Sequence, residues 1–285
     1  MDNILKVRLL GGFSMNYNGS EVVLDRNIAS KTTQMMQIMA LNAQSGISKS
    51  ILFDMLYGDS DVDNPNATLN NCLFRLRKRL KECGIPGSSY VVLDHGLCQW
   101  DHTTPIETDC VKYESLIQKG NREEDEAKRM AHYYDAVMIY TGELLPDMIG
   151  EEWVSQKNHD YHDLYQKHTT ELCAYLYKER KFMLLRRVAH RAAEVYPFET
   201  WQTWEIDALI GQELYEEALA VFNRLEEQLF REMNLLPSPE LLERVSYIGK
   251  HISGSSDTIE VIQKRIEEDG EKIGPYFCLF PSFVD

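Results

Sequence analysis

The segment from Asn64 to Glu82 constrains the fold of this chain more than any other. Asn64 is a suitable helix N-cap, and Pro65 follows at the first helical position, where its missing N–H costs nothing. The pattern predicts a long amphipathic helix over residues 64–82 that buries one face and presents the other to solvent. The predicted buried stripe consists of Leu69, Cys72, Leu73, Leu76 and Leu80.

The segments on either side of this helix predict a small α+β domain. Short stretches of alternating or nearly alternating apolar residues predict strands, and Asn18-Gly19 is a strong hairpin turn. The predicted elements are, in chain order, strands at 5–9, 13–17 and 21–24, a helix beginning at Ser30, a helix over Ser48–Tyr57, the long helix, and a hairpin within Tyr90–Trp100. This order predicts a winged helix-turn-helix over residues 1–105.

From residue 106 the apolar pattern is helical almost continuously to residue 252. A shift of 33 positions aligns two similar segments, and the aromatic-x-x-Ala pattern of the second is typical of tetratricopeptide repeats. The aligned pairs are Phe182 with Tyr215, Leu185 with Ala218, and Ala189 with Phe222. Because such helix pairs bury their apolar faces only by stacking, we predict an all-α repeat domain over residues 106–252 and a chain that is mainly α.

Residues 253–285 differ from the rest of the chain. The run Ser253-Gly254-Ser255-Ser256 predicts a flexible connection, and Pro275–Val284 is apolar with little to bury against. We interpret this region as a linker followed by the start of a further domain that is cut short.

The formal net charge of −15 argues against nucleic-acid binding, which depends on cationic side chains. The charge is unevenly distributed, however. Residues 1–105 contain ten Lys and Arg and ten Asp and Glu, so the whole net charge lies in residues 106–285. Five of those ten cations fall between Arg75 and Lys81, which predicts a basic spot on a neutral domain.

Several separated motifs resemble a known family. Ser48–Asp59, Ala67–Leu80 and the Val92–Trp100 hairpin are similar to the winged-helix output domain of response regulators. Residues 4–250 as a whole resemble SARP-type bacterial transcriptional activators, in which a winged helix is followed by a tetratricopeptide-like bacterial transcriptional activator domain. The matching segments of the second domain are Tyr140–Pro146, Glu152–Val154 and Arg231–Leu241. This chain departs from the family at Tyr57 and Leu97, where Trp and Tyr are usual.

The resemblance implies that helix 64–82 enters the major groove of double-stranded DNA. Residues suited to base contacts, because Arg pairs with guanine and Asn with adenine, are Asn70, Asn71 and Arg75. Cations suited to phosphate contacts are Lys31, Lys49, Arg77, Lys78 and Arg79. Phe74 lies on the same outward face, where it could contact a thymine methyl group or another protein.

Other classes of function find little support in the sequence. No apolar run is long enough for a membrane span, and Asp2, Lys6 and Arg8 interrupt the N-terminus where a signal peptide needs an apolar stretch, so we expect a cytoplasmic protein. The six cysteines show no metal-ligand spacing, and His159 and His162 lack a matched carboxylate ligand. We find no phosphate loop or catalytic motif and therefore expect no enzyme activity, no metal and no cofactor.

Two functions from different classes remain. The first is a DNA-binding regulator that forms a homodimer and contacts RNA polymerase or a C-terminal sensory module through its acidic helical domain. The alternative is a protein-interaction scaffold whose winged helix no longer binds DNA. Three features favour the alternative: the neutral N-terminal domain, the acidic wing at Asp94, and the outward position of Phe74.

Overall fold

The computed structural model describes residues 3–58, 60, 62–101, 103–252, 261–262 and 264–268. The chain divides into two compact units, Met1–His168 and Thr169–Asp285. The first unit contains β1 (Leu5–Arg8), β2 (Ser14–Tyr17), β3 (Ser20–Glu21), α1 (Lys31–Leu41), β4 (Ile47–Ser48), α2 (Lys49–Tyr57), α3 (Pro65–Glu82), β5 (Val91–Asp94), β6 (Leu97–Trp100), β7 (Ile106–Thr108), α4 (Asp109–Arg122), α5 (Glu126–Ile139) and most of α6 (Glu152–Lys178). The second contains the end of α6, α7 (Phe182–Val195), α8 (Trp201–Gly211), α9 (Tyr215–Gln228) and α10 (Pro239–Gly249).

The predicted fold class is confirmed, because a small α+β region precedes a long helical one. The N-terminal strands form an antiparallel sheet, with Leu5 opposite Tyr17. The third predicted strand is shorter than expected, since only Ser20–Glu21 pairs with β2. Val22 and Leu24 instead turn their side chains into the core.

The three-helix core and the hairpin form the winged helix. The Oδ1 atom of Asn64 accepts a hydrogen bond from the backbone N–H of Ala67 and caps α3, and Pro65 lies in its first turn. All five residues of the predicted stripe are buried: Leu69, Cys72, Leu73, Leu76 and Leu80. Strands β5 and β6 pair in antiparallel register, and β4 completes a three-stranded sheet.

The N-terminal sheet extends past the predicted boundary at residue 105. Strand β7 pairs in parallel with β1, with Leu5 opposite Ile106. The carboxylate of Asp109, at the start of α4, accepts hydrogen bonds at 2.9 Å from the backbone N–H groups of Leu9 and Leu10. Burial raises the pKa of this carboxyl, and the backbone donors oppose that rise. The beginning of the helical region is therefore bonded to the first strand.

A second segment of the helical region also meets the end of β1. Leu10 forms a β-bridge with Leu144, and the N–H of Leu145 donates to the carbonyl of Leu9 at 2.9 Å. Gly142 has φ of +152°, and a Cβ placed there would lie 3.0 Å from the Cα of Gly11. Only glycine fits this close approach without strain. This contact gives a structural role to the Tyr140–Pro146 segment on which the family resemblance rests.

The second unit has a continuous apolar core formed by α8, α9 and α10. Phe222, Ile206 and Ile248 are fully buried in it. Ile262 belongs to the same core, and Arg265 donates to the Glu226 carboxylate on α9. The chain thus continues to contribute to the helical unit after residue 252. The predicted linker over Ser253–Ser256 and the apolar stretch Pro275–Val284 lie outside the described residues.

Candidate nucleic-acid interface

The outward face of α3 carries polar and cationic side chains around one aromatic ring. Asn70, Asn71, Phe74, Arg75 and Lys78 are all exposed, opposite the buried stripe. At 100° per residue these five positions cover about 140° of the helix surface, which is wide enough to contact a groove of DNA along its length.

A surface groove of about 650 Å³ runs along one flank of α3. The N-terminal end of α1 and the last residue of α2, Tyr57, form its opposite wall. The groove brings together five of the predicted site residues, which come from two helices: Lys31, Asn71, Arg75, Lys78 and Arg79. Two carboxylates, Asp25 and Glu82, also line it, so the groove is positive by two charges.

The wall of the groove is held by short contacts between the three helices. The thiol of Cys72 lies 3.3 Å from the backbone carbonyl oxygen of Lys31, and the Nζ atom of Lys31 lies 5.6 Å from the centre of the Tyr57 ring. Burial raises the pKa of Tyr57 to about 12, so its hydroxyl stays protonated and can donate a hydrogen bond. Lys31 is therefore positioned by an aromatic face and remains exposed to solvent.

The cations in the groove differ in how they are paired. Lys78 and Arg79 share the carboxylate of Glu82, at 3.8 Å and 3.2 Å, and both ion pairs are solvent-exposed. Arg75 has no hydrogen-bond or ion-pair partner within the part of the chain that the structure describes. Since exposed ion pairs contribute little free energy, a phosphate could displace Glu82 from either cation.

Four predicted site residues do not line this groove: Lys49, Asn70, Phe74 and Arg77. Asn70 and Phe74 lie further round α3, and Phe74 is 66% exposed. Arg77 points towards the hairpin, where its Nε and Nη2 atoms donate to the carbonyls of Ser89 and Val91 at 3.0 and 2.7 Å. Arg77 therefore fixes strand β5 against α3.

Replacing Arg77 by alanine is expected to lower the free energy of unfolding by about 1–2 kcal/mol, because two partly buried carbonyls lose charged donors. Arg79→Ala is the matched control, since the ion pair of Arg79 with Glu82 is solvent-exposed, and we expect a change below about 0.5 kcal/mol. Urea unfolding of the two variants gives both values. Equal effects would show that Arg77 does not anchor the hairpin.

Lys49 lies apart from the groove, at the first position of α2. Its backbone N–H donates to the carbonyl of Gly96 at 2.8 Å, which joins the start of α2 to the turn of the hairpin. Ser48 caps the helix by accepting from the N–H of Ile51. The Lys49 side chain is half-exposed.

The tip of the hairpin carries little positive charge. Residues 88–100 contain no Lys or Arg. The Oδ1 atom of Asp94 lies 2.5 Å from the Nδ1 atom of His95, and both side chains are exposed to solvent. A carboxylate at this place repels phosphate. The outward face of α3 and the groove therefore concentrate the cations of this region.

Sequence patterns placed the residues of α3 correctly on one face, but did not reveal the groove. Tyr57 stands where the family usually has Trp, and the structure places its ring beside Lys31. The sequence did not predict the contact of Cys72 with Lys31, because the place of Cys72 in the apolar stripe indicated core packing alone.

Among the described residues no group of three or more His, Cys, Asp or Glu side chains could hold a metal ion. Within the same residues no helix is both long and apolar enough to cross a membrane.

The order of elements defines a winged-helix protein with a helical repeat region. Residues 108–248 match the family model of the bacterial transcriptional activator domain. These residues therefore form a bacterial transcriptional activator domain, which confirms the predicted resemblance to activators of the SARP type.

Two further comparisons give different results. The fold is similar to that of EmbR from Mycobacterium tuberculosis, solved in complex with a low-affinity phosphopeptide. The TM-score is 0.56 at 15% sequence identity, and the similarity covers 93% of this chain and 70% of the EmbR chain. At this identity the likeness concerns the fold. No curated protein sequence matches the chain.

Proposed function

We propose that this chain is a sequence-specific regulator of transcription that binds double-stranded DNA through α3. The observation that carries the proposal is the row of exposed amides and cations on α3, with Arg75 unpaired within the described residues and Lys31 facing the same groove. A helix fits the major groove of B-form DNA, where amide and guanidinium groups distinguish bases.

The side chains divide into three roles under this proposal. Asn70, Asn71 and Arg75 face the bases, because they lie on the exposed face of α3 and their polar groups are bidentate. The cations that hold phosphates are Lys31, Lys49, Lys78 and Arg79. Arg77 was expected to hold phosphate too, but its two bonds to the hairpin backbone make it a positioning residue here.

The helical region supplies the protein contacts. Residues 106–285 carry the whole net charge of −15, and such a surface repels DNA. We assign to it the formation of a homodimer and the contact with RNA polymerase or a C-terminal module. Because one winged helix covers a short site, two copies on repeated half-sites provide the affinity of a specific regulator. The proposed activity takes place in the cytoplasm and requires neither a cofactor nor catalysis.

Arg75→Ala is expected to reduce discrimination between the preferred site and unrelated DNA by about 1–3 kcal/mol, since a bidentate base contact is lost. Lys78→Ala is the matched control from the same face of α3. It should weaken binding to all sequences and lower the slope of log K against log salt by about one. Selection from a random DNA library defines the site, and fluorescence anisotropy at several salt concentrations measures both variants. A uniform loss for Arg75→Ala would contradict its role in reading bases.

A scaffold without DNA binding remains the second candidate, and the hairpin favours it. Its lack of cations and the Asp94–His95 pair remove the phosphate contacts that a wing can make. If the wild-type chain selects no DNA sequence and shows no salt-dependent binding to DNA of any sequence, the scaffold function replaces the proposal.

A further inference from the structure

We infer that Phe74 recognises the 5-methyl group of a thymine and sets a thymine preference in the DNA site. This inference rests on the proposed DNA binding and adds a base and a contact to it. Its starting point is an apolar ring in the middle of the polar face of α3, 66% exposed to solvent. Phe74 is the most exposed of the large apolar side chains described between residues 3 and 101.

The position of the ring on the helix places it between the other candidate residues. At 100° per residue Phe74 lies between Asn70, one turn before it, and Lys78, one turn after it. Arg77 holds one flank of the helix against the hairpin, and Arg75 lines the groove on the other flank. The ring therefore lies near the middle of the exposed face of α3, which is the part that enters deepest when the helix lies in the major groove.

The surroundings of Phe74 favour DNA over a protein as the partner. The cores of protein interfaces are depleted of charged residues. Phe74 instead has Arg75 next to it in sequence and Lys78 one turn away, with amides on the preceding turn. The phosphates of a DNA strand can pair with both Arg75 and Lys78. The thymine methyl is the apolar group that the base edges present in the major groove, so it complements a ring among such neighbours.

The contact has a measurable consequence, because deoxyuridine differs from thymidine by this methyl group alone. The DNA site selected by the wild-type chain is synthesised with each thymine replaced singly by uracil. At the contacted position we expect wild-type binding to weaken about fourfold, because the uracil duplex has no methyl group for the protein to bury. Phe74→Ala should bind the thymine and uracil duplexes equally. Since the ring is exposed, this variant should keep its fold, which circular dichroism checks.

Two controls separate the Phe74 contact from other effects. Ile51→Ala removes another exposed apolar side chain, 54% accessible on α2, and should keep the discrimination between thymine and uracil. Arg75→Ala should lose its base preference but also keep this discrimination. If the wild-type chain selects a site at which no uracil substitution matters, or if Phe74→Ala still discriminates, the role of Phe74 is wrong while DNA binding stands. Failure to select any site overturns both.

Discussion

Replacing Asp109 by alanine should lower the free energy of unfolding by about 2–4 kcal/mol. Its carboxylate accepts hydrogen bonds from the backbone N–H groups of Leu9, Leu10 and Cys110, at 2.8 to 2.9 Å. Alanine leaves the first two donors without this acceptor at the end of β1, next to fully buried Leu9 and Leu10 side chains. An unsatisfied buried donor costs about 1–3 kcal/mol, so two of them account for the expected loss.

Asp109→Asn provides a graded comparison for this site. Asparagine keeps one acceptor oxygen and removes the buried charge, whose desolvation raises the pKa of the carboxyl. We therefore expect a smaller loss than for alanine. Glu107→Ala, on an exposed position of β7, should change stability by less than about 0.5 kcal/mol. Urea unfolding measures all three variants. If Asp109→Ala behaves like Glu107→Ala, these hydrogen bonds do not join β1 to α4.

Replacing Trp100 by alanine should cost about 3–5 kcal/mol, the range for truncating a buried aromatic side chain. Trp100 is 2% exposed, its ring packs against Tyr90 at a centroid distance of 6.4 Å, and its Nε1 donates to the carbonyl of Thr104 at 2.7 Å. Trp100 lies opposite Val91 in the hairpin, so its loss removes packing from both strands.

Trp100→Phe separates packing from hydrogen bonding. Phenylalanine retains most of the apolar volume but lacks the indole N–H, so we expect a loss nearer 1 kcal/mol plus a small packing term. Thermal unfolding followed by near-ultraviolet circular dichroism, a technique sensitive to Tyr and Trp packing, compares the two variants. A loss below 1 kcal/mol for Trp100→Ala would mean that the hairpin is not held by this side chain.

Several elements were predictable because their signals are local. The predicted helix over residues 64–82 differs from α3 by one residue at its start and agrees with it at its end. The signals were the cap at Asn64, the proline at position 65, and the spacing of apolar residues from Leu69 to Leu80. The helical character of the chain after residue 106 was also predictable, because amphipathic spacing extends over several turns. The Asn18-Gly19 turn lies between β2 and β3 as predicted. The domain boundaries at residues 105 and 252 stay predictions.

Other features depend on residues far apart in the chain. The bonds from Leu9 and Leu10 to Asp109 span about 100 positions, and no pattern within either segment indicates them. The same holds for the contact of Gly142 with Gly11. The candidate site shows the same limit, since Arg77 and Lys78 are neighbours in a basic run yet face the hairpin and the groove, respectively.

The sequence by itself determined the class of fold, the family and the face of α3 that meets solvent, because these follow from periodicity, capping and turn chemistry between nearby residues. Only the tertiary structure decided which cations share a groove, that Arg77 is held by the hairpin, and that the helical region begins inside the N-terminal sheet. The physical reason is that packing and long-range hydrogen bonds join segments whose local patterns contain no information about each other.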